Sequence, residues 1–188
     1  MAQSRGIVKT LKKLHKWPGL IIAFFFLYFS VTGIIMNHRE WLGSVELSRK
    51  HLPNEYRYDN WNNAALKGYE ILSRDSLLIY GNVGVWLTDT LFSEFTDFNN
   101  GLPVGIDNRK IFSVHRTAQG NLYAATLFGL YAKNSSSDPW QYIPLEMDIK
   151  RTVGIASKGD SVIVMNRSYL FVGVDLGVDT HFERIELS

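Results

Sequence analysis

The sequence predicts a single transmembrane α-helix followed by an all-β domain, an incomplete β-propeller of about three blade-like repeats. A charge-free run, WPGLIIAFFFLYFSVTGIIMN at 17–37, predicts the helix. Short β-rich runs separated by Gly, Asn, Asp and Ser predict the all-β region. Three of these stretches resemble one another, with starts 45 and 39 residues apart, and that spacing is the period of propeller blades.

The charge-free run is long enough to cross a bilayer, because its 21 residues at about 1.5 Å rise span about 31 Å. A buried helix of a soluble domain is one alternative, although such helices normally carry a polar face. A cleaved signal peptide is the other, but no small-residue cleavage site follows, since the next residues are His38, Arg39 and Glu40. We predict an uncleaved signal anchor with its transmembrane helix at 17–38.

The distribution of charge predicts the orientation of this helix. The tail at 1–16 contains five basic residues and no acidic one, whereas the rest of the chain contains 15 basic and 18 acidic residues. Basic residues beside a membrane span stay in the cytoplasm. We therefore expect a bacterial inner-membrane protein with a cytoplasmic N-terminus and the bulk of the chain in the periplasm.

Small residues align along one side of the predicted helix. At 100° per residue the stripe is about 80° wide, and small residues on one line let a second helix approach closely in lipid. Besides the bilayer, we expect another transmembrane helix, from the same or a different chain, as a partner. The packing positions are Gly19, Ala23, Ser30 and Gly33.

Two histidines bracket the span, His15 at its inner edge and His38 at its outer edge, about 34 Å apart by helix rise. A histidine near each leaflet suits a transmembrane electron path through two b-type haems, because neutral imidazole is a haem axial ligand. The alternative is that both are interfacial residues with their polar tips in the headgroup layer.

The residues around the span resemble the first helix of PepSY-associated transmembrane proteins. LHKWPGL at 14–20 and VTGIIMNHR at 31–39, on either side of the apolar run, carry the resemblance over about 26 of 188 residues. Members of that family are associated with iron and siderophore uptake, and some carry haem and reduce ferric complexes. The resemblance implies that His15 and His38 are haem-ligand candidates. Members usually return to the membrane through later helices, which this chain lacks.

After the helix, a juxtamembrane connector is predicted at 39–70, with a short helical turn at 61–68. The β-propeller-like extracytoplasmic domain is predicted at 71–188. Its strand candidates are 76–80, 83–88, 111–116, 122–126, 129–132, 161–165 and 169–174.

The three repeats begin at 74, 119 and 158, and each contains a polar turn, a β-run, a Gly or Asn break and a second β-run. A third, Trp- or Phe-containing strand follows in the first two, within FSEFTDF and PWQYIPL. GLP at 101–103 with IFSVHRTAQGNLYAATLFGLY at 111–131 resembles the blade motif of two-component-regulator propellers. Because a closed ring takes four to eight blades, we expect the β-domain to be truncated relative to a longer parent.

Composition excludes several functions. The chain has no cysteine, which excludes thiol catalysis and cysteine-ligated zinc or iron–sulfur sites. The positive excess is confined to the N-terminal tail, so no nucleic-acid partner is predicted. No Ser–His–Asp or phosphate-loop pattern occurs, and His115 and His181 are interpreted as strand or loop residues. An enzyme activity of this chain alone is therefore not the favoured hypothesis.

Two functional hypotheses follow. The first is one half of a PepSY-associated component for electron transfer or iron and siderophore uptake, with haem b as its cofactor. The second is a membrane-anchored β-propeller that binds a ligand or protein partner, or acts as a sensor, without redox chemistry.

Overall fold

The computed structural model describes residues 2–38, 53, 65–105, 107–146 and 151–186. The chain divides into two compact units, Met1–Leu42 and Gly43–Ser188. Most of the predicted connector lies outside the described residues. The fold class predicted from the sequence, one apolar N-terminal helix followed by an all-β region, is confirmed.

The first unit contains a single long helix, α1 (Ala2–Asn37), whose 36 residues extend about 54 Å. Its apolar side chains are exposed over the whole predicted span. The hydroxyls of Ser30 and Thr32 donate to helix carbonyls one turn earlier, so these polar groups are satisfied within the helix. Within the described residues, α1 alone is long and apolar enough to be a membrane anchor or a signal sequence.

The second unit contains three four-stranded antiparallel sheets, each a meander in which consecutive strands pair. The first sheet comprises β1 (Leu66–Ile71), β2 (Ser76–Gly81), β3 (Gly84–Asp89) and β4 (Phe95–Asp97). The second comprises β5 (Ile111–Arg116), β6 (Leu122–Thr126), β7 (Gly129–Lys133) and β8 (Gln141–Ile143). The third comprises β9 (Thr152–Lys158), β10 (Ser161–Asn166), β11 (Leu170–Val174) and β12 (Glu183–Ile185).

All seven strand candidates occur, with ends that differ by no more than one residue from the prediction. The Trp- and Phe-containing segments supply β4 and β8 as expected. Of the other three strands, β12 lies within the strand-like segment HFERIEL at 181–187, whereas β1 and β9 are missing from the prediction. The helical turn predicted at 61–68 is wrong where the structure describes it, because β1 begins at Leu66. The β-region therefore starts within the predicted connector rather than at 71.

Apolar side chains from neighbouring sheets pack together and bury both faces of the second sheet. Leu78 and Val85 of the first sheet pack with Ile111 and Trp140 of the second, and all four are nearly or fully buried. On the opposite face, Tyr123 and Leu130 pack with Val162, Val164 and Phe171 of the third sheet. Full burial of a side chain of this size contributes about 1.5–3 kcal/mol, so these two layers hold the three sheets together.

The first strands of the three sheets, β1, β5 and β9, run side by side in the same direction. At their starts, Lys67 lies over the ring of Phe112, and so does Arg151. Towards their ends, Glu70 accepts the backbone N–H of Arg116 at 2.8 Å. This shared direction brings polar residues of all three sheets together at each end of the first strands.

Candidate functional site

His15 lies within α1 and is exposed, whereas His38 directly follows the last residue of α1. The ring of His38 contacts the Ile34 carbonyl through Nδ1, at 3.0 Å. A carbonyl oxygen only accepts, so Nδ1 carries the proton and, in the neutral ring, the lone pair is on Nε2. That tautomer suits an axial ligand held through Nε2. The two histidines lie at opposite parts of one helix and form no common site.

The predicted packing stripe has open space beside its two glycines. Within the described chain, apart from the helix itself, nothing lies within 4 Å of the position that a Cβ would take at Gly19 or Gly33. The Ser30 hydroxyl donates to the Phe26 carbonyl at 2.7 Å. The stripe therefore presents a smooth surface with no unsatisfied hydroxyl at Ser30.

The starts of the first strands form a second candidate site, the strand-start cluster of Lys67, Lys110, Phe112 and Arg151. The ammonium of Lys67 lies 3.9 Å from the Phe112 ring centroid, and the guanidinium carbon of Arg151 lies 4.6 Å from it. Each of the three cations comes from the start of a different sheet. Lys110 pairs with Asp107.

The cations of the strand-start cluster act on one another. Partial burial lowers the pKa of Lys67, and the positive charges of Arg151 and Lys110 lower it further. Within the described residues, no carboxylate is in ion-pair distance of Lys67 or Arg151, and the ring of Phe112 carries no net charge. The cluster is therefore a concentration of positive charge that Asp107 only partly neutralises.

The ends of the first strands form a strand-end cluster of Glu70, His115 and Ser157. His115 Nε2 lies 2.8 Å from Ser157 Oγ, but Nδ1 lies 4.0 Å from Glu70 Oε1, too far for a hydrogen bond. Glu70 Oε1 instead accepts the Arg116 N–H. A nucleophilic triad needs a carboxylate that orients the imidazole, and Glu70 does not do so here. We therefore interpret this cluster as a structural link between β1, β5 and β9. His115 is a strand residue, as predicted.

A buried polar network joins the second and third sheets around Asp175, which is 7% exposed. The Tyr123 hydroxyl donates to Asp175 Oδ1 at 2.7 Å, and the Asn121 amide donates to the same oxygen at 2.9 Å. Burial raises the pKa of Asp175, but hydrogen-bond donors, among them Tyr123, Asn121 and the Gly177 N–H, outweigh that effect and hold the pKa below its ordinary value. The carboxylate is thus fixed as a structural acceptor.

Comparison of the chain with known protein families, with curated proteins and with solved structures finds no match. The resemblance to PepSY-associated proteins therefore stays a prediction. The residues of the strand-start cluster were not identified from the sequence. The available signal was a cation at or just before each first strand, but it becomes visible only once β1 and β9 are recognised as strands.

Proposed function

We propose that this chain is a membrane-anchored binding module, in which α1 crosses the bacterial inner membrane and the β-domain lies in the periplasm as a partial β-propeller. The observation that carries the proposal is the arrangement of the sheets: three meanders stack face to face with their first strands side by side, as propeller blades do. The exposed apolar side chains of α1 and the basic tail support the anchor and its orientation.

In such a module we expect a ligand to bind where the first strands of the three sheets lie side by side. Polar and charged side chains of all three sheets converge at each end of these strands, whereas the layers between the sheets are filled with apolar side chains. The stacked sheets form a rigid support, and the polar side chains at the strand ends are placed to contact a ligand.

The anchor is tested by the intact mass of the chain recovered from membranes washed at alkaline pH. We expect the uncleaved chain of 21.5 kDa in the membrane pellet. Recovery of a shorter chain, starting after residue 37, in the soluble periplasmic fraction would mean that the apolar helix is a cleaved signal sequence, and the proposal would be wrong.

The second candidate function is the PepSY-associated one, a component of transmembrane electron transfer or of iron and siderophore uptake. The tautomer of His38 favours it, because a protonated Nδ1 is typical of histidines that bind haem iron through Nε2. His15 and His38 would each hold one haem b, which supplies one-electron transfer when bound. Each haem would also need a second ligand from another helix, and the stripe at Gly19, Ala23, Ser30 and Gly33 is suited to packing against such a helix.

Absorption spectra test this candidate directly. The full-length chain, expressed with haem supply and purified in detergent, should show a Soret band that is lost in the His15→Ala, His38→Ala double variant. The His181→Ala variant is the matched control and should retain the band. A colourless wild-type chain would refute the haem function and leave the anchored module unaffected.

A further inference from the structure

We propose that the strand-start cluster is a binding site for a multiply charged oxyanion, such as a diphosphate or a phosphate headgroup. This inference rests on the proposed binding module, for which it names the ligand class. Three cations from the starts of three different sheets lie together there: Lys67 and Arg151 lie over the ring of Phe112, and Lys110 is close enough to Lys67 for their charges to interact. Like charges held this close repel one another, and a partner of opposite charge would offset that cost.

The ring of Phe112 fixes the positions of two of the cations. Lys67 and Arg151 both lie against its ring, so their charges are no farther apart than the sum of the two ring distances. That separation is comparable with the Debye length of about 8 Å at physiological ionic strength, so solvent ions do not fully screen the repulsion. Cation–π contact holds each cation in place without neutralising it. The cluster is therefore preorganised for an anion.

The balance of charge points to a ligand that carries at least two negative charges. Asp107 accounts for Lys110 alone, which leaves the charges of Lys67 and Arg151 uncompensated among the described residues. Arg151 offers a planar fork suited to two oxygens of one phosphate, and Lys67 offers a compact charge for a further oxygen. Both side chains are exposed, so a ligand reaches them from solvent.

The same oxyanion chemistry has two sources, a soluble phosphate compound or the headgroup of an anionic lipid. The first arm of the test titrates inorganic pyrophosphate into the full-length chain in an uncharged detergent, and measures binding by calorimetry and the acetylation of Lys67 and Lys158 by mass spectrometry. The second arm places the full-length chain in nanodiscs of phosphatidylcholine, with or without phosphatidylglycerol, and measures acetylation of Lys67 by mass spectrometry.

Matched variants isolate the cluster. Lys67→Gln and Arg151→Gln each remove one cation from the cluster, whereas Lys158→Gln and Arg167→Gln remove exposed cations elsewhere in the third sheet. We expect each cluster variant to weaken pyrophosphate binding by about tenfold or more, and each control variant to leave it unchanged. Binding should also weaken as salt is raised. Protection of Lys67 in the wild-type chain provides a readout that does not depend on the folding of any variant.

The outcomes separate the sources and the proposals. Pyrophosphate binding that protects Lys67 but not Lys158 supports a soluble oxyanion, and protection only in nanodiscs with phosphatidylglycerol supports a headgroup. Absence of protection in both arms, or equal loss of binding in cluster and control variants, overturns the site. Because binding in detergent does not depend on the side of the membrane on which the β-domain lies, such a result would not contradict the membrane-anchored module.

Discussion

Removing the hydroxyl of Tyr123 should destabilise the joint between the second and third sheets. The hydroxyl of Tyr123 has one proton, which Asp175 accepts, so the Thr180 hydroxyl, 2.6 Å away, is the donor to Tyr123, while its oxygen also accepts the Leu176 N–H. Tyr123 then donates to Asp175 Oδ1 at 2.7 Å. All donors in this relay point towards one buried carboxylate. Tyr123→Phe breaks the relay at its centre without changing the volume of the ring.

The magnitude follows from the hydrogen bond to the carboxylate. A hydrogen bond to a charged group contributes about 1.5–3 kcal/mol, and Tyr123 is fully buried, so no water replaces its hydroxyl. We expect Tyr123→Phe to lower the free energy of unfolding by that amount at pH 7. Because the pKa of Asp175 is lowered in the folded state, the ionised carboxylate stabilises the fold at pH values above 3.8. This contribution is lost as the pH falls through the folded-state pKa. The deficit of the variant should therefore shrink in acid.

Urea denaturation of the full-length chain in detergent, followed by tryptophan fluorescence, measures the effect. Tyr142→Phe is the matched control, because Tyr142 is exposed and the substitution keeps its ring on Tyr131, so loss of the hydroxyl should cost less than about 0.5 kcal/mol. Equal stabilities of Tyr123→Phe and wild type, or a deficit that does not change with pH, would refute the reasoning about the relay.

Three further predictions concern the joint between the first and second sheets and use the same denaturation assay. Gly101→Ala should cost more stability than Gly159→Ala, because both glycines have positive φ but only at Gly101 would a Cβ overlap the backbone of Trp140; equal costs would contradict this. Trp140→Phe should cost about 1–3 kcal/mol, because it leaves the buried Phe98 carbonyl, which accepts the indole N–H at 2.8 Å, without a donor; a cost below about 0.5 kcal/mol would contradict this. Burial lowers the pKa of Lys133, so the free energy of unfolding of wild type should rise relative to that of Lys133→Met as the pH rises towards 10.5; a difference that does not change with pH would contradict this.

The strands that the sequence revealed are those whose side chains fill the layers between sheets. In β2 and β6 every residue from Leu77 to Gly81 and from Leu122 to Thr126 is buried, so apolar runs with short turns were sufficient to find them. In β1 and β9, most positions are exposed or half-buried, and Lys67, Glu70 and Ser157 interrupt the apolar pattern. The charged and polar residues that belong to the two clusters are thus the same residues that made β1 and β9 hard to recognise as strands.

The candidate sites differ in the same way. His15, His38 and the small-residue stripe lie on one helix, so their positions follow from helix periodicity alone. The strand-start cluster joins residues 67, 110, 112 and 151, whose proximity depends on how the sheets stack, and sequence spacing does not encode this stacking. The network around Asp175 was missed for the same reason, since Asn121 and Tyr123 reach it from a different sheet.

The side of the membrane on which the β-domain lies tests the central claim most directly. The natural chain contains no cysteine, so single cysteines introduced as Ser137→Cys in the exposed turn after β7 and as Ser4→Cys in the basic tail report on two defined positions. In intact spheroplasts, a membrane-impermeant maleimide should label the cysteine at 137 and leave the cysteine at 4 unlabelled until the membrane is lysed. Labelling at 4 with protection at 137, or protection of both until lysis, would contradict an α1 that anchors a periplasmic β-domain.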